Sequence, residues 1–476
     1  MYAGLDFGTS NCLIGVMHNE QPTLIPLEDG KPRLPSCLYI DKDCFAPAQI
    51  SSDQISSAIK QIKNRASAIQ QHLSDDALIN MARQQIRTQH RLNAPVSRRA
   101  ESIVDALNAN SDVIFGEAAA HMHINEPDNG FYIKSPKSFL GADINSAQRA
   151  VFTRIVQKML AFIKQESEAL KQQELVQLVI GRPVNFHGLL GKDGNQQALS
   201  IIDTAAKNIG LKHVEFLMEP VAAAYDYERQ LEQDRLVLIL DLGGGTTDCS
   251  MIKIGPSYRK LIEREHCILS HTGQRIGGID LDNKLALMAI MPHFGKSVIL
   301  NNGLPVPNHL FKQAVTLNDV SAQQDFYARR TSQEIERYLS MTKDSRLQRL
   351  KRLRDGKYGL RVSRSAEQAK ILLSEQPAIE LDFDYIETDL SIAICRQQLS
   401  QAIADELRKF EVLMVDAIKQ AGIQPDVIYV TGGTALSPIV QQWIKSSFPN
   451  IDIVIGDHFG SVTSGLVTQA QRLFGD

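Results

Sequence analysis

The amino-acid sequence predicts an α/β protein, and two observations support this fold class. The first is an alternation of elements: the apolar segment LVQLVIGRP at 175–183, which ends at a Gly and a Pro, lies between helical patterns at 146–174 and 194–209. Strands that alternate with helices are typical of α/β architectures. The second is a further apolar strand after these elements, LVLILDLGGG at 236–245, and the segment LILDLGGGTTDCSMI at 238–252 resembles GLDFGTSNCLIGV at 4–16.

Length, composition and charge narrow the class of protein. With 476 residues and 43% hydrophobic content, the chain is long enough for about two to four globular units. A net charge of -3 gives no general attraction to nucleic acid or anionic lipid. Six cysteines without a C-x-x-C pair argue against a zinc ribbon and fit a reduced compartment. Without a signal-peptide pattern or an apolar run of about 18 residues, we expect a cytoplasmic protein with no membrane partner.

The ends of the chain carry recognisable elements. Residues 1–40 have the alternating pattern of short strands. Toward the C-terminus, a long helix is predicted at 396–422, followed by a strand, a Gly-Gly-Thr turn and a helix start in VIYVTGGTALSPIV at 427–440. A final helix is expected near 461–474.

A helical insertion is predicted at about 50–112. Apolar residues recur there at spacings of three and four, the rhythm of a helix with a narrow apolar seam. These residues are Ile55, Ile59, Ile62, Ala66, Ile69 and Leu73. Between 51 and 100 there are eight Lys or Arg against three Asp. This excess fits a partner-docking surface or an ordinary solvated helix face, and the second interpretation is favoured.

A second helical region is predicted at 283–382, and it contains a basic segment at 345–364. Between 329 and 364 there are twelve Lys or Arg against four Asp or Glu. Nucleic-acid binding is one interpretation, but the only aromatic residues there are Tyr338 and Tyr358. Because single-strand binders use aromatic stacking platforms, the pattern disfavours this interpretation.

Each copy of the repeat places an Asp at the end of an apolar strand and then small residues, which predicts a β-hairpin. Glycine lets a bulky anion approach the backbone, and backbone N–H groups with Thr or Ser hydroxyls can bind phosphate. The neighbouring Asp suits a phosphate that carries Mg²⁺. One such hairpin could be an ordinary turn, but two copies favour a facing pair that grips one triphosphate. The second copy has two additional glycines, expected to leave room for the γ-phosphate end.

Two other phosphate-binding motifs are excluded. Residues 294–297, FGKS, resemble the end of a P-loop, but Ile290 stands where the motif requires Gly. No G-x-G-x-x-G sequence opens a helix after a strand, so a Rossmann dinucleotide site is unsupported.

Several motifs together resemble the nucleotide-binding domain of Hsp70 chaperones. They are DFGTSN at 6–11, DLGGGTTD at 241–248, MEPVAAAY at 218–225, GGIDLDN at 277–283 and VTGGTALSPIV at 430–440. The resemblance implies a two-lobed actin/Hsp70-type ATPase fold with duplicated RNase H-like units and helical insertions. Lobe I would span 1–228 and lobe II 229–476, with a helical subdomain at 283–382. The C-terminal helix at 461–474 would pack back on lobe I.

The resemblance also implies an ATP or ADP site with Mg²⁺. Asp6, Glu219 and Asp241 would surround the metal, mostly through water. The residues that would contact the nucleotide are Gly8, Thr9, Ser10, Asn11, Gly243, Gly244, Gly245, Thr246, Glu367, Lys370, Ser374, Gly432, Gly433 and Asp457. Lys137 would position the attacking water, Asp248 would orient it, and Thr246 would complete the catalytic group. The residue types alone also fit a solvated lysine at 137 and a surface pair at 367 and 370.

Some positions depart from the family pattern. Ile371 stands where the family has an Arg that stacks on the base. Pro183 matches a proline switch, but Gln196 stands where the family has the arginine that relays it. The spacing from Asp457 to Gly465 is longer than in the family. The sequence also lacks the apolar linker and peptide-binding domain of an ordinary Hsp70, so we expect that it does not clamp peptides in the usual way.

The leading functional hypothesis is an Hsp70-like, Mg²⁺-dependent ATPase whose lobes close on the nucleotide in a chaperone-related or partner-switching role. The first alternative is a non-hydrolysing nucleotide-binding scaffold that contacts a protein partner through the insertion at 50–112. A small-molecule kinase of the same superfamily is a further alternative, although the E-P-x-A-A-A signature argues against it.

Overall fold

A computed structural model describes residues 1–45, 51–65, 82, 85–86, 89, 96–109, 111–186, 190–261, 264–456 and 460–475. The chain divides into two compact units. The first unit comprises Met1–Gly181, Lys192–Leu217 and Leu466–Asp476, and the second comprises Arg182–Gly191 and Met218–Gly465. The predicted mixture of strands and helices is confirmed in both.

The first unit is built on a mixed sheet of six strands. In the described residues before position 219, the strands are β1 (Tyr2–Phe7), β2 (Asn11–His18), β3 (Gln21–Leu24), β4 (Leu34–Pro35), β5 (Cys37–Asp41), β6 (Asp43–Phe45), β7 (Val96–Arg99), β8 (Val113–Phe115), β9 (Gly130–Lys134), β10 (Gln177–Arg182) and β11 (His213–Met218). The main sheet has the order β11-β10-β1-β2-β3, with β4 beside β2. Because β1 is antiparallel to β2 and parallel to β10, the first hairpin lies inside the sheet.

Four of the five helices described in this part of the chain lie in regions where helices were predicted, and the helix at Gly116–Asn125 was not predicted. The five are α1 (Ser52–Arg65), α2 (Ile103–Asn108), α3 (Gly116–Asn125), α4 (Ser146–Lys171) and α5 (Gly191–Asn208). A capping box fixes the start of α4, since Asn145 and Gln148 exchange side-chain to backbone hydrogen bonds of 2.9 Å. With β10 between α4 and α5, the predicted helix, strand and helix are confirmed.

The insertion begins and ends at a pair of strands. β6 and β7 are antiparallel, and α1 lies between them in sequence. Ala58, Ile62 and Ala82 are buried together, with Ile55 and Ile59 packed against them. The predicted apolar seam is therefore confirmed for the residues of α1. Its continuation through Ala66, Ile69 and Leu73 lies outside the described residues.

The second unit is built on a sheet of five strands. In the described residues after position 228, the strands are β12 (Arg235–Leu242), β13 (Thr247–Ile254), β14 (Ile268–Gln274), β15 (Ala378–Asp382), β16 (Ser391–Cys395), β17 (Val427–Thr431) and β18 (Asp452–Ile455). The main sheet has the order β14-β13-β12-β17-β18. β12 is antiparallel to β13 and parallel to β17.

Helices dominate the middle of the second unit, as predicted for 283–382. The helices are α6 (Glu219–Glu228), α7 (Gly278–Leu285), α8 (Asn308–Val315), α9 (Val320–Tyr327), α10 (Arg329–Ser340), α11 (Arg346–Asp355), α12 (Gly359–Glu375), α13 (Arg396–Ala421) and α14 (Pro438–Ser447). Their apolar faces share one core with the sheet, in which Phe294, Phe311, Phe326 and Phe410 are fully buried. Burial of this size is the main stabilising contribution to the unit.

The last helix, α15 (Ser461–Phe474), crosses the division between the units at Gly465 and Leu466. In the first unit, a Cβ at Gly4 would lie only 2.4 Å from the Val467 nitrogen, so this part of the helix packs directly on β1. In the described residues, no helix is long and apolar enough to span a bilayer.

The two main sheets have the same strand order. In each unit three consecutive antiparallel strands are followed, on the other side of the first strand, by two strands that come later in the chain. The first of these later strands is parallel to the central strand in both units. The sequence repeat therefore occupies the equivalent hairpin of two equivalent sheets.

Candidate functional site

The first hairpin ends in a tight four-residue tip. Phe7 lies opposite Cys12, so residues 8–11 form the tip. A Cβ at Gly8 would lie 2.3 Å from the Asn11 carbonyl oxygen, so a larger residue would push the tip apart. Asp6 stands on β1 just before this tip and is half-buried.

A serine that the sequence analysis did not single out holds this tip. The Ser36 hydroxyl donates to the Gly8 carbonyl at 2.6 Å, and the Ser36 N–H donates to the Ser10 carbonyl at 2.8 Å. In a trans peptide the C=O and the following N–H point in opposite directions. The N–H groups of Thr9 and Asn11 therefore point away from Ser36.

Ser36 also links the tip to the segment that carries Lys137. Its carbonyl accepts a 2.7 Å hydrogen bond from Ser135, which has left-handed backbone angles and precedes a 3₁₀ turn at Pro136–Phe139. Lys137 in this turn is only 4% exposed. It is therefore not a solvated surface lysine.

The charges of Asp6 and Lys137 both reach the Cys12 thiol behind the tip. The pKa of Cys12 is raised to about 12, mainly by burial and in part by the Asp6 carboxylate, while the Ser36 hydrogen bond and the Lys137 ammonium oppose the rise. The first unit thus brings an acidic residue, a buried cation and outward-pointing N–H groups to one hairpin tip.

The second hairpin has a tip of the same length. Leu242 lies opposite Thr247, so residues 243–246 form it. The two additional glycines of the second copy therefore do not lengthen its loop: by register, Gly244 and Gly245 take the places of Thr9 and Ser10. The shared cysteines suggest a longer loop, but Cys12 corresponds by register to Thr247.

The N-terminus of α7 holds the second tip. Gly278 N–H donates to the Gly243 carbonyl at 3.0 Å, and Ile279 N–H donates to the Gly244 carbonyl at 2.8 Å. These are helix N–H groups without a partner inside their helix. By the same peptide geometry, the N–H groups of Gly244 and Gly245 point away from α7. A Cβ at Gly277 would lie 2.6 Å from this loop, which explains the glycine.

Two carboxylates face each other across the second hairpin. Asp241 and Asp248 are buried and lie opposite one another in the β12–β13 register. Asp248 Oδ1 accepts a 3.0 Å hydrogen bond from the Val184 N–H. A Cβ at Gly273 would lie 2.1 Å from the same oxygen, so β14 also closes on this carboxylate. Its position is therefore fixed from two sides.

Glu219 is the first residue of α6 and is buried. A carboxylate at a helix N-terminus is stabilised by the helix dipole. At the other end of α6, Glu228 forms a two-pronged ion pair with Arg264, with distances of 2.6 and 2.7 Å and both side chains almost fully buried. This pair fixes the helix that carries Glu219.

The helix that was expected to contact the adenosine is joined through Lys370 to α7, the helix that holds the second tip. The Lys370 ammonium contacts Asp282 at 2.8 Å and donates to the Gly278 carbonyl at 3.1 Å. Lys370 is therefore held by α7 and is not part of a surface pair with Glu367. Glu367 itself is half-buried on the same helix.

Other predicted nucleotide contacts on this side are placed as follows. Ser374 donates to the Lys370 carbonyl at 3.3 Å, within α12. Gly432 has φ +89, and a Cβ there would lie 2.4 Å from the Leu242 carbonyl, so the turn with Gly433 closes against the second tip. Asp457 lies outside the described residues.

The positions that were compared with the family pattern differ in their exposure to solvent. Ile371 is 57% exposed on α12, which leaves an apolar side chain where a stacking cation was expected. Gln196 is exposed on α5, and Pro183 is buried.

The basic segment 345–364 is largely neutralised within its own unit. Arg349 and Arg352 both contact Glu387, at 2.8 and 3.0 Å. Arg354 donates to three main-chain carbonyls at the end of α9. Internal pairing of these cations supports the prediction that the segment is not a nucleic-acid site.

Comparison with models of protein families shows to which family the chain belongs. A model of the Hsp70 protein family matches residues 134–301 and 332–470, more than half of the chain. The chain belongs to the Hsp70 family. Its two sheets and helices form the actin/Hsp70-type ATPase fold, and the matched residues form an Hsp70-type ATP-binding domain. The match includes Lys137 and the second hairpin, whereas the first hairpin and the insertion precede it.

Sequence reasoning missed the residues that hold the tips. Ser36 follows a proline and carries no motif of its own, so no signal marked it. Gly277 and Gly278 were recognised only as part of a family motif, although two glycines directly before an amphipathic helix indicate a close backbone approach. Asp282, the partner of Lys370, was likewise not assigned.

Proposed function

We propose that this Hsp70-family chain binds ATP and ADP with Mg²⁺ and hydrolyses ATP slowly, as a nucleotide-dependent switch in a chaperone-related role. The observation that carries the proposal is the shape of the two tips. In both, protein donors hold two carbonyls from behind, so that backbone N–H groups point outward beside an Asp at the end of the strand. Outward N–H groups suit phosphate oxygens, and the carboxylates suit a cation bound to them.

The donor chemistry fits Mg²⁺. Asp241 and Glu219 are buried carboxylates in the second unit, and Asp6 is half-buried in the first. Among the residues that the structure describes, no three His, Cys, Asp or Glu side chains form a metal cage. This suits Mg²⁺, which one or two carboxylates commonly hold together with waters and phosphate oxygens. When bound, the metal would neutralise charge on the transferred phosphate.

The proposed roles in hydrolysis follow from burial and contacts. Lys137 would place a positive charge and its N–H donors at the attacking water, because its segment is tied to the first tip through Ser36. Asp248, whose position is fixed by the Val184 N–H, would orient that water. Thr246 would offer its hydroxyl to a phosphate oxygen. Positioning and charge neutralisation of this kind supply most of the catalysis of phosphoryl transfer.

The switch itself would be closure of the two units on one nucleotide. The support for this step is the duplication: two equivalent sheets present the same hairpin, each with an Asp. We propose a cytoplasmic location, for which the support is the cysteine content without paired motifs, and a protein partner for the insertion at 50–112. A pull-down with the full chain and with a variant lacking that insertion tests the partner.

Calorimetry and single-turnover kinetics test the proposal. The parent protein is expected to bind Mg-ADP and Mg-ATP and to release phosphate from ATP. At about 100-fold excess over Kd, either nucleotide should add about 2.7 kcal/mol to the free energy of unfolding. Absence of binding by both methods contradicts the proposed function.

Lys137→Ala separates binding from hydrolysis. We expect affinities close to those of the parent and a hydrolysis rate lower by about 100-fold, the usual scale for the loss of one charge-stabilising group. Lys207→Ala, at an exposed salt bridge of the same unit, is the control and should hydrolyse at the parent rate. Equal rates in Lys137→Ala and the parent would remove the catalytic assignment. Binding without any phosphate release by the parent would favour the scaffold, and transfer to a sugar would favour the kinase.

A further inference from the structure

Arg182 is a cation beside the second hairpin that the proposed function does not use. It is the last residue of β10 and belongs to the second unit together with Pro183 and Val184. Its side chain is half-buried, whereas Pro183 and Val184 are buried. A half-buried guanidinium at the end of a strand needs an explanation, because an arginine normally keeps its charged group in water.

The backbone around Arg182 is fastened to the strands that carry Asp248. The Val184 N–H donates to Asp248 Oδ1 at 3.0 Å, and the Asn185 amide donates to the Gly273 carbonyl at 3.3 Å. A Cβ at Gly273 would lie 3.0 Å from the Val184 side chain. The position of Arg182 relative to β13 and β14 is therefore set by the contacts that Val184 and Asn185 make with both strands.

The guanidinium makes little use of its hydrogen-bonding capacity. In the described part of the chain its one hydrogen bond runs from Nη1 to the Pro183 carbonyl at 3.2 Å. An arginine has five N–H donors in a planar fork that matches two oxygens of a phosphate. Most of these donors are thus available to a ligand.

The charges around Arg182 are those of the proposed metal and water site. Burial lowers the pKa of its guanidinium, while the carboxylates of Asp248 and Glu219 oppose that shift. Arg182 therefore lies within electrostatic reach of two carboxylates, although it forms no ion pair with either in the described residues. The N–H donors of the guanidinium can therefore bind an anionic group other than these two carboxylates.

We propose that Arg182 donates to the terminal phosphate of bound ATP and is a further catalytic residue of this chain. The inference rests on the proposed function. Two donors from one guanidinium fix the orientation of a phosphate and neutralise charge that develops during its transfer. ADP lacks this phosphate, so Arg182 distinguishes the two nucleotides.

The test compares the parent with Arg182→Gln and Arg182→Lys, and uses Arg349→Gln as a matched control. Arg349 is a paired arginine of the same unit, on α11. Calorimetry is performed with Mg-ADP and with Mg-AMP-PNP, a non-hydrolysable ATP analogue, and ATP hydrolysis is measured in single turnover. Thermal unfolding without nucleotide checks that each variant is folded.

For Arg182→Gln we expect about tenfold weaker binding of the ATP analogue, the scale of a lost charge-assisted hydrogen bond, with little change for ADP. The hydrolysis rate should fall by about 100-fold. Arg182→Lys keeps the positive charge but lacks the planar fork of donors. Its affinity for the ATP analogue and its hydrolysis rate should therefore lie between those of the parent and Arg182→Gln. Arg349→Gln should have the affinities and the hydrolysis rate of the parent.

Two results for Arg182→Gln would overturn the inference: an equal loss of affinity for both nucleotides, or an unchanged hydrolysis rate. If Arg182→Gln does not fold, Arg182→Lys takes its place, and an unchanged preference for the ATP analogue over ADP in that variant would overturn the inference. If the parent itself binds neither nucleotide, the proposed function fails. If the parent binds and hydrolyses normally but the Arg182 variants match it, only this inference fails.

Discussion

The two hairpin tips show how one backbone shape can be held in two ways. Both tips have four residues and sit at the same place in sheets of the same strand order. In the first unit one residue, Ser36, holds two carbonyls with its hydroxyl and its N–H. In the second unit the N-terminus of α7 holds two carbonyls with consecutive N–H groups. In both tips the result is a pair of backbone N–H groups that point outward, the shape on which the proposed function rests.

The tips differ in what their side chains add. The first carries Thr9 and Ser10, whereas the second has Gly244 and Gly245 at the same positions. Where the first hairpin has the apolar Leu13, the second has Asp248, opposite Asp241. The first tip therefore offers hydroxyls beside the buried Lys137, and the second offers open backbone beside carboxylates.

The helix α6 carries Glu219 at its first residue and the buried ion pair of Glu228 with Arg264 at its last. This ion pair is expected to fix the position of α6 and so of the Glu219 carboxylate. Glu228→Gln would leave Arg264 as a buried charge without its ionic partner. We expect a loss of about 3–5 kcal/mol in the free energy of unfolding, measured by chemical denaturation. Asp405→Asn breaks an exposed pair with Arg408 and should cost less than about 0.5 kcal/mol. Similar losses in both variants would show that the pair does not anchor α6.

Gly277→Ala tests the contact between the N-terminus of α7 and the second tip. The new Cβ would meet the Gly243 and Gly244 backbone at 2.6 Å, so the loop must shift. Overpacking of this kind costs about 1–3 kcal/mol, and we expect a loss of Mg-ADP affinity of about tenfold in calorimetry. Gly359→Ala, on α12, meets mainly a flexible Leu317 side chain at 3.3 Å and should bind like the parent. Parent-like affinity of Gly277→Ala would show that the tip does not need this close contact.

Ser36→Ala tests the hydrogen bond that holds the first tip. Loss of the hydroxyl leaves the Gly8 carbonyl without its donor, which costs about 1 kcal/mol and loosens the link to the Lys137 segment. We expect single-turnover hydrolysis to slow by about fivefold, with a smaller change in Mg-ADP affinity. Cys12→Ala removes the thiol that contacts the Ser36 hydroxyl at 3.3 Å but keeps the bond of that hydroxyl to the Gly8 carbonyl, and should hydrolyse at the parent rate. An equal effect of the two substitutions would contradict the role of Ser36.

The cysteines behind the tips are expected to be packing residues in both units. Cys12 and Cys249 are fully buried, and burial raises both thiol pKa values. A raised pKa keeps each thiol protonated through pH 8, so neither should react with a thiol reagent in the native protein. Labelling followed by mass spectrometry measures this, with the guanidinium-unfolded protein as the reactive control. Native labelling of Cys12 at the unfolded rate would indicate a redox role.

The sequence predicted the elements of the fold better than their register. Helices and strands follow from local periodicity and caps, so the order of α4, β10 and α5 was predictable. The register of the second hairpin depends on which residues pair across it, and the shared cysteines suggested an alignment that the pairing contradicts. Ser36 and Asp282 act through contacts with residues distant in sequence, which no local pattern reports. Arg182 drew no attention because its carboxylate neighbours come from other elements.

A double-mutant cycle tests whether Asp6 and Asp241, one beside each tip, act on the same Mg-nucleotide as proposed. Asp6→Asn, Asp241→Asn and the double variant are compared with the parent for Mg-ADP affinity by calorimetry. If both carboxylates act on the same metal-bound nucleotide, the second substitution should cost less than the first, with a coupling energy of about 1 kcal/mol or more. Losses that add to within about 0.3–0.5 kcal/mol, or no loss on Asp6→Asn, would contradict this proposal.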